Sequence, residues 1–261
     1  GMLEIADRAY HYINQHFRDK THGGVYWSVD VQGKPLSARK QIYGLAFTMY
    51  GLTEYYRATN HPEALNFAVE LFELIEKHSF DSQFNGYWEA VARNGTALED
   101  LRLSDRDSNA PKTMNTHLHI LEAYANFYHS WPDPQLHERL KNLIDLFLDK
   151  IIDAETKHLV CFFDAQWNSV SAPVSYGHDI ETAWLLLEAA EIAQYRVENA
   201  REMAVSVAVA AAEGFDAQSG ALLYEDHLPE KHWWVEAEAM VGFLNAWELT
   251  REEHFFGKSL S

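Results

Sequence analysis

The sequence contains a single cysteine, Cys161, among its 261 residues. One cysteine cannot form an intramolecular disulfide or a cysteine-based zinc site, so the expected role of Cys161 is that of a small buried side chain. A chain without disulfides is typical of a reducing compartment. We therefore expect a cytoplasmic protein.

Long apolar runs and an excess of basic residues are also missing. No apolar run approaches the roughly 20 residues of a membrane-spanning helix, and the first residues do not resemble a secretory signal peptide. The chain has 21 Lys and Arg against 39 Asp and Glu, a formal net charge of −18. Such a surface repels anionic partners, so we expect neither nucleic acid nor a membrane as a partner.

Common cofactor and catalytic motifs are absent as well. There is no Gly-x-Gly-x-x-Gly or Gly-x-x-x-x-Gly-Lys-Ser/Thr loop for phosphates, and no Gly-x-Ser-x-Gly element of a serine hydrolase. Of the 14 histidines, none forms a His-Glu-x-x-His motif, and His117 and His119 point apart if they lie on a helix. We expect no cofactor and no metal site.

Apolar residues recur at helical spacing, and β-type alternation is rare. The pattern predicts an all-α fold with eight helices, over residues 2–17, 40–58, 62–78, 113–130, 134–152, 179–195, 197–213 and 234–250. Pro62 and Pro134 are placed for the first turn of a helix. No linker-like segment divides the chain, so we expect a single domain over residues 1–261.

A turn motif that begins with aspartate recurs between alternate helices. It is clearest at residues 19–27 and 81–88, with weaker copies that begin at Asp153 and Asp216. Glycine or asparagine followed by aromatic residues predicts a tight turn into a short β-hairpin strand. The four aspartates are spaced by 62, 72 and 63 residues, which is typical of an array of helix pairs with functional loops on one rim.

The first candidate for catalysis is the segment Ser-Tyr-Gly-His-Asp-Ile-Glu over residues 175–181, at the start of a predicted helix. His178 and Glu181 share one helix face at spacing i to i+3. A carboxylate beside an imidazole orients it and stabilises its charged form, which suits a general acid/base. The alternative is that His178 caps the helix and Glu181 is solvated.

Two further segments carry polar and aromatic side chains suited to a hydroxyl-rich ligand. Asn115 and His119 share one face of the predicted helix 113–130, and Asp107 lies in the polar loop before it. Structural hydrogen bonding is the alternative for these residues.

The segment His-Trp-Trp-Val-Glu-Ala-Glu over residues 232–238 pairs tryptophans with carboxylates. Indole faces pack on the apolar face of a pyranose while carboxylates bind its hydroxyls, so Trp233, Trp234 and Glu238 are candidate sugar contacts. Tyr43, one turn into another helix, could place its hydroxyl in the same cleft. Core packing is the alternative for each aromatic residue.

Six segments, in this order, resemble the N-acylglucosamine 2-epimerase superfamily, and most closely its cellobiose 2-epimerase branch. They are Gly-Gly-Val-Tyr-Trp (23–27), Lys-Gln-Ile-Tyr (40–43), Lys-Thr-Met-Asn (112–115), Leu-His-Ile-Leu-Glu-Ala-Tyr (118–124), Ser-Tyr-Gly-His-Asp-Ile-Glu (175–181) and Trp-Trp-Val-Glu-Ala-Glu (233–238). The resemblance implies an (α/α)6 barrel, which agrees with the helix-pair spacing.

The resemblance also implies roles for individual residues. His178 looks like one of two proton-transfer histidines at C2 of the reducing-end sugar, with Glu181 orienting it. His119 and Asn115 resemble residues that assist and bind near the anomeric end. The residues that look like cleft contacts are Tyr43, Asp107, Trp233, Trp234 and Glu238. The implied reaction is ring opening, deprotonation at C2 to a cis-enediolate, and reprotonation on the other face.

The sequence departs from the family pattern in three places. The family's other catalytic histidine, in a Pro-Tyr-His-Asn-Gly-Arg-like C-terminal segment, and an arginine from an early helix have no counterpart here. Glu236 stands where cellobiose epimerases usually carry glutamine. We expect an incomplete barrel that lacks the family's first helices and C-terminal segment, and whose open faces could form a homo-oligomer.

The predicted function is therefore that of a carbohydrate epimerase, acting at C2 of a cellobiose-like disaccharide, N-acylglucosamine or mannose. An aldose–ketose isomerase shares the enediolate and is one alternative. A non-catalytic carbohydrate-binding domain without the second histidine is another. A glycoside hydrolase or lyase would need two opposed carboxylates, for which Glu181 and Glu238 are the candidates.

Overall fold

The computed structural model describes residues 1–105, 107–170 and 173–260. Within these ranges there are nine α-helices: α1 (Met2–Tyr12), α2 (Ile42–Thr59), α3 (Pro62–His78), α4 (Met114–Ser130), α5 (Pro134–Leu146), α6 (Tyr176–Ala193), α7 (Val197–Ala211), α8 (Trp233–Thr250) and α9 (Glu253–Ser259). π-Helical turns, Ile13–Phe17 and Phe147–Ile151, extend α1 and α5, and a 3-10 turn, Ala212–Gly214, follows α7.

All eight predicted helices are present, whereas α9 was not predicted. Pro62 and Pro134 are the first residues of α3 and α5, as predicted. The predicted helix over 40–58 begins only at Ile42, because the two preceding residues pair as a strand. Helix boundaries depend on such tertiary pairing, which hydrophobic spacing does not report.

In the described part of the chain, seven short strands occupy loops between the helices: β1 (Ser28–Val29), β2 (Pro35–Ser37), β3 (Lys40–Gln41), β4 (Ala90–Val91), β5 (Lys112–Thr113), β6 (Phe162–Phe163) and β7 (Ser169–Val170). β1 pairs antiparallel with β2, β3 with β4, and β6 with β7. The first and last of these pairs are the short hairpins that the turn motif predicts.

The chain forms two compact units. The N-terminal unit comprises Gly1–Asp133 and Asp164–Gln166, and in it α2 packs against both α3 and α4. The C-terminal unit comprises the described residues of Pro134–Phe163 and Trp167–Ser261, and in it α6 packs against α7 and α8. Each unit has an apolar interior of its own, which the apolar stripes of these helices form.

The four aspartate turns share one backbone pattern. In each, the aspartate N–H donates to the carbonyl five residues later, and the N–H four residues later donates to the aspartate carbonyl. The aspartate Oδ1 accepts from the N–H two residues later in all four. The residue four positions after the aspartate has a left-handed φ: 76° at Gly23, 68° at Asn85, 65° at Lys157 and 73° at Gly220. The sequence repeat is therefore a structural repeat.

Three of the four turns add an ion pair to a lysine that lies two residues before the next helix. The Nζ–Oδ2 distances are 3.0 Å for Lys40–Asp19, 2.8 Å for Lys112–Asp81 and 2.8 Å for Lys231–Asp216. In the third repeat, Val174 occupies the lysine position. Each ion pair holds the segment before a helix against the preceding aspartate turn. The candidate site residues lie near the N-terminal ends of these helices.

Candidate functional site

The candidate residues lie on α2, α4, α6 and α8, near the starts of these helices, or in the loop before α4. The N-terminal unit holds Tyr43, Asp107, Asn115 and His119, and the C-terminal unit holds His178, Glu181, Trp233, Trp234 and Glu238.

In the N-terminal unit, His119 is held from three sides. Its Nδ1 lies 3.0 Å from Oε2 of Glu122, one turn further along α4. Its ring meets the Tyr43 ring edge-on, with 5.0 Å between centroids, and lies 4.6 Å from the ring of Phe47. The structure thus brings Tyr43 and His119 together as predicted. It also adds Glu122, which the i, i+3 spacing from His119 could have revealed.

Asn115 and Asp107 differ in how their oxygens are used. Oδ1 of Asn115 is buried, and among the described residues no hydrogen bond to it is found. Oδ2 of Asp107 accepts the N–H of Ser104 at 2.8 Å, and so closes its own loop. Binding of a sugar hydroxyl by either residue stays a prediction.

His117 has a structural role. The N–H of Tyr87 donates to its Nε2 at 2.9 Å, and its Nδ1 lies 2.7 Å from the carbonyl oxygen of Thr113. Because Nε2 accepts, Nδ1 carries the proton and donates to that carbonyl. Burial lowers the pKa of His117 to about 4, so the imidazole is neutral at physiological pH.

A buried carboxyl group, Glu89, lies beneath the start of α4 and was not predicted. The hydroxyl of Thr113 donates to its Oε2 at 2.6 Å. Burial raises the pKa of Glu89 to about 7, although hydrogen bonds from Thr113 and Thr116 oppose the shift. Thr113 is the N-cap of α4, so Glu89 anchors the helix that carries Asn115 and His119.

In the C-terminal unit, the imidazole of His178 lies in the first turn of α6. Its Nδ1 is 2.7 Å from the hydroxyl oxygen of Ser175, and its ring centroid is 5.1 Å from that of Trp234. The structure thus brings two candidates, His178 and Trp234, into contact. Ser175 was not among the predicted site residues, although it belongs to the same short segment. Glu181 is buried at 7% exposure, and its predicted role in orienting His178 stays a prediction.

The two tryptophans at the start of α8 have different surroundings. Trp233 is 84% exposed, whereas Trp234 is partly buried against His178 and Tyr224. Glu238 lies one turn further on, and its Oε2 accepts the indole N–H of Trp184 at 2.8 Å. The indole N–H therefore fixes one oxygen of this predicted sugar contact.

Glu236 faces its own turn. Its Oε2 accepts the N–H of Leu222 at 3.4 Å, and its Oε1 is buried without a hydrogen bond among the described residues. Glu236, which stands where cellobiose epimerases usually carry glutamine, therefore contacts the backbone of its own repeat.

Within the described ranges, we find no group of three or more His, Cys, Asp or Glu side chains arranged to hold a metal ion. No helix in those ranges combines the length and apolar character needed to cross a bilayer.

Comparison with known proteins places this geometry in a family. The model of the N-acylglucosamine 2-epimerase (GlcNAc 2-epimerase) family matches residues 1–258. A cellobiose 2-epimerase from Bacteroides fragilis is 48% identical over 250 residues, which cover 93% of this chain and 64% of that protein. The cellobiose 2-epimerase from Dictyoglomus turgidum is 38% identical, over 97% of this chain and 66% of that protein. The chain thus spans just under two thirds of the length of these two relatives.

Solved structures agree with the sequence matches. The structure of a cellobiose 2-epimerase from Bacillus thermoamylovorans superposes with a TM-score of 0.93 at 40% identity, over 98% of this chain and 67% of that one. This likeness confirms the predicted all-α fold class and its (α/α)6-barrel type. The chain belongs to the N-acylglucosamine 2-epimerase family.

Proposed function

We propose that this chain carries the catalytic residues of a sugar 2-epimerase that acts at C2 of the reducing-end sugar of a cellobiose-like disaccharide. The observation that carries this function is the imidazole of His178, which lies 2.7 Å from the hydroxyl of Ser175 and in tilted ring contact with Trp234, in a member of this family. The relatives named cellobiose 2-epimerase support the disaccharide as the substrate.

The proposed chemistry moves one proton. After the sugar ring opens, a base removes the proton from C2, and the electron pair forms a cis-enediolate with the C1 carbonyl. Inversion of that carbon requires a second acid that returns a proton to C2 on the opposite face, a role that the resemblance gives to the family's other catalytic histidine. Imidazole suits both steps because its ordinary pKa lies near neutral pH. We assign one of these steps to His178, with Glu181 as its orienting carboxylate.

The other candidate residues are assigned to binding and assistance. His119, oriented by Glu122, assists near the anomeric oxygen, and Asn115 and Asp107 bind sugar hydroxyls. The aromatic rings of Tyr43, Trp233 and Trp234 pack against the sugar, and Glu238 binds a hydroxyl. Paired aromatic and carboxylate groups suit a pyranose because its C–H face is apolar and its edge is polar.

The test is exchange of the C2 proton. The purified chain is incubated with cellobiose in D₂O, and the C2 signal is followed by NMR, in parallel with mannobiose, mannose and N-acetylglucosamine. We expect the C2 proton of cellobiose to exchange with solvent deuterium. His178→Gln should abolish the exchange, whereas the matched control His254→Gln, at an exposed side chain of α9, should retain it.

Each alternative gives a different result. A ketose product in place of the epimer would indicate an aldose–ketose isomerase. Binding of cellobiose by a folded chain without exchange would indicate a non-catalytic carbohydrate-binding domain, and cleavage of the disaccharide would indicate a hydrolase. Unchanged exchange in His178→Gln would refute the assignment of the acid/base.

We further propose a cytoplasmic protein without nucleic-acid or membrane partners, supported by the net charge of −18 and the single buried cysteine. Exposed apolar side chains on α8, at Met240, Val241 and Leu244, support self-association. Light scattering after gel filtration tests the homo-oligomer. A single cooperative unfolding transition would support the prediction of one domain over residues 1–261.

A further inference from the structure

The hydroxyl of Ser175 is used in an unusual way for its position. Ser175 is the N-cap of α6, and an N-cap serine normally accepts a hydrogen bond from a backbone N–H in the first turn. Its backbone carbonyl does accept the N–H of Asp179 at 2.9 Å, but its side chain makes no capping bond. The hydroxyl oxygen lies instead 2.7 Å from Nδ1 of His178.

The N-cap of α4 shows the ordinary arrangement in the same protein. There, Oγ1 of Thr113 accepts the N–H of Thr116 at 3.1 Å. The corresponding side chain in the next repeat, Ser175, is only 2% exposed, so the imidazole takes the place of both the helix N–H and water as its partner. A buried hydroxyl that serves a partly buried imidazole indicates a role for that imidazole beyond helix capping.

The ring plane of His178 is also restricted by its neighbours. The rings of Trp234 and Tyr224 lie 5.1 Å and 6.1 Å from it, both tilted. Gly177 allows this close approach of α8, since a Cβ there would lie 2.8 Å from the Trp234 ring. The imidazole is therefore oriented by packing on its faces and by the hydrogen bond at Nδ1.

We propose that Ser175 is a positioning residue that accepts a hydrogen bond from Nδ1–H of His178 and so keeps the basic lone pair of the neutral imidazole at Nε2. The nitrogen that makes the fixed hydrogen bond determines the tautomer of the ring. Nε2 then takes the C2 proton and becomes N–H, while Nδ1–H stays bonded to Ser175, a step that rests on the proposed function.

A hydroxyl differs from a carboxylate in this position. His119 has the carboxylate of Glu122 at its Nδ1, whereas His178 has the hydroxyl of Ser175 there. A hydroxyl accepts from Nδ1–H as a neutral partner and orients the ring without adding a charge beside it. His178 is thereby oriented but kept able to accept a proton. The two histidines are prepared for different tasks.

The experiment measures the tautomer directly. The chain is labelled with ¹⁵N-histidine, the His178 signals are assigned with His178→Gln, and the ring nitrogens are observed above the pKa of the imidazole. We expect a pyrrole-type Nδ1 and a pyridine-type Nε2 in the natural sequence. In Ser175→Ala the Nε2–H tautomer, which free histidine prefers, should dominate, and Ser175→Thr should restore the Nδ1–H tautomer.

Ser206→Ala, on α7 of the same unit, is the matched control and should leave the His178 tautomer unchanged. An Nε2–H tautomer in the natural sequence, or an unchanged tautomer in Ser175→Ala, would overturn the role of Ser175. If Ser175→Ala fails to fold, Ser175→Gly carries the same measurement, because glycine is tolerated as an N-cap.

The rate of C2 exchange provides a second readout. We expect Ser175→Ala to lose about tenfold or more in rate, with Ser175→Thr recovering most of it. If the natural chain shows no exchange with any sugar, the proposed function fails, while the tautomer measurement still decides the role of Ser175.

Discussion

Replacing Lys112 with methionine, and Lys231 in a second variant, should show how much more a buried ion pair contributes to the free energy of unfolding than an exposed pair in the same structural repeat. The side chains of Lys112 and Asp81 are 0% and 6% exposed, and Nζ of the lysine also donates to the carbonyl of Ala165 at 2.7 Å. Lys112→Met keeps most of the apolar stem but leaves the carboxylate of Asp81 buried without its cation.

Removal of one partner from a buried pair costs about 3–5 kcal/mol, because the remaining charge is neither hydrated nor neutralised. The exposed pair Lys231–Asp216 has the same Nζ–Oδ2 distance of 2.8 Å, but its side chains are 38% and 30% exposed. Exposed pairs contribute little because water and salt screen them. Lys231→Met should therefore lower the free energy of unfolding far less than Lys112→Met.

Urea unfolding followed by tryptophan fluorescence measures both variants. With a slope of about 2 kcal/mol per molar urea, Lys112→Met should lower the midpoint by about 2 M. The double variant Lys112→Met with Asp81→Asn should recover part of the loss, since the amide removes the unpaired charge and keeps an oxygen for the turn. Equal losses in Lys112→Met and Lys231→Met would refute the reasoning from burial.

Three other perturbations test the packing and titration of single groups. Gly242→Ala in α8 would bring a Cβ within 2.6 Å of the carbonyl oxygen of Ile180, so in thermal unfolding it should lower the stability by about 1–3 kcal/mol. Gly51→Ala, whose Cβ would have no neighbour within 4 Å, should instead stabilise α2 by about 0.5–1 kcal/mol. A stabilising Gly242→Ala would contradict the close contact. Burial, aided by nearby carboxylates, raises the pKa of the Cys161 thiol to about 12. The thiol should therefore not react with a disulfide reagent at about pH 8 until urea is added. Rapid labelling of the folded chain would contradict this prediction, because it would show an accessible thiol. The hydrogen bond to Asp179 raises the pKa of His158, although burial opposes the shift. The stabilisation by this hydrogen bond is therefore present below about pH 6.5 and declines as the pH rises through the folded-state pKa of His158. His158→Gln should weaken this decline, which urea midpoints at about pH 6 and pH 9 can measure.

The sequence predicted the helices well because apolar residues recur at helical spacing over long stretches. It predicted their ends less well. Residues that end helices in the left-handed conformation here are Asn60, Gln194 and Arg251, with φ of 55°, 50° and 62°, and none of them is glycine. The usual glycine signal for a helix end is therefore absent. The short helix α9 was missed because seven residues are too few for a periodic pattern.

The candidate site could be predicted only as far as spacing along a helix reports contacts. Spacing placed His178 and Glu181 on one face, but it did not show that Nδ1 of His178 would meet Ser175, because that contact depends on the N-cap rotamer. Contacts between helices were also beyond reach. The tilted ring contact between Trp234 and His178 joins residues 56 positions apart, and only the packing of α8 against α6 brings them together.

The structural repeat explains why neighbouring polar residues of these segments have different roles. The fourth residue of each helix that follows an aspartate turn points back at that turn. In the last three repeats it accepts a backbone N–H: His117 from Tyr87, Asp179 from Leu159 and Glu236 from Leu222. The first repeat has Leu45 at this position, and a leucine side chain cannot accept this hydrogen bond.

A polar residue at the fourth position is therefore fixed by the backbone of its own repeat, as His117, Asp179 and Glu236 are. His119 lies two residues beyond this position and His178 one residue before it, so both face other side chains instead of the turn. The partners of His119 and His178 are other side chains, which can differ between repeats while the backbone of the turn stays the same. This is why His119 can have a carboxylate at Nδ1 and His178 a hydroxyl, although both helices begin in the same way.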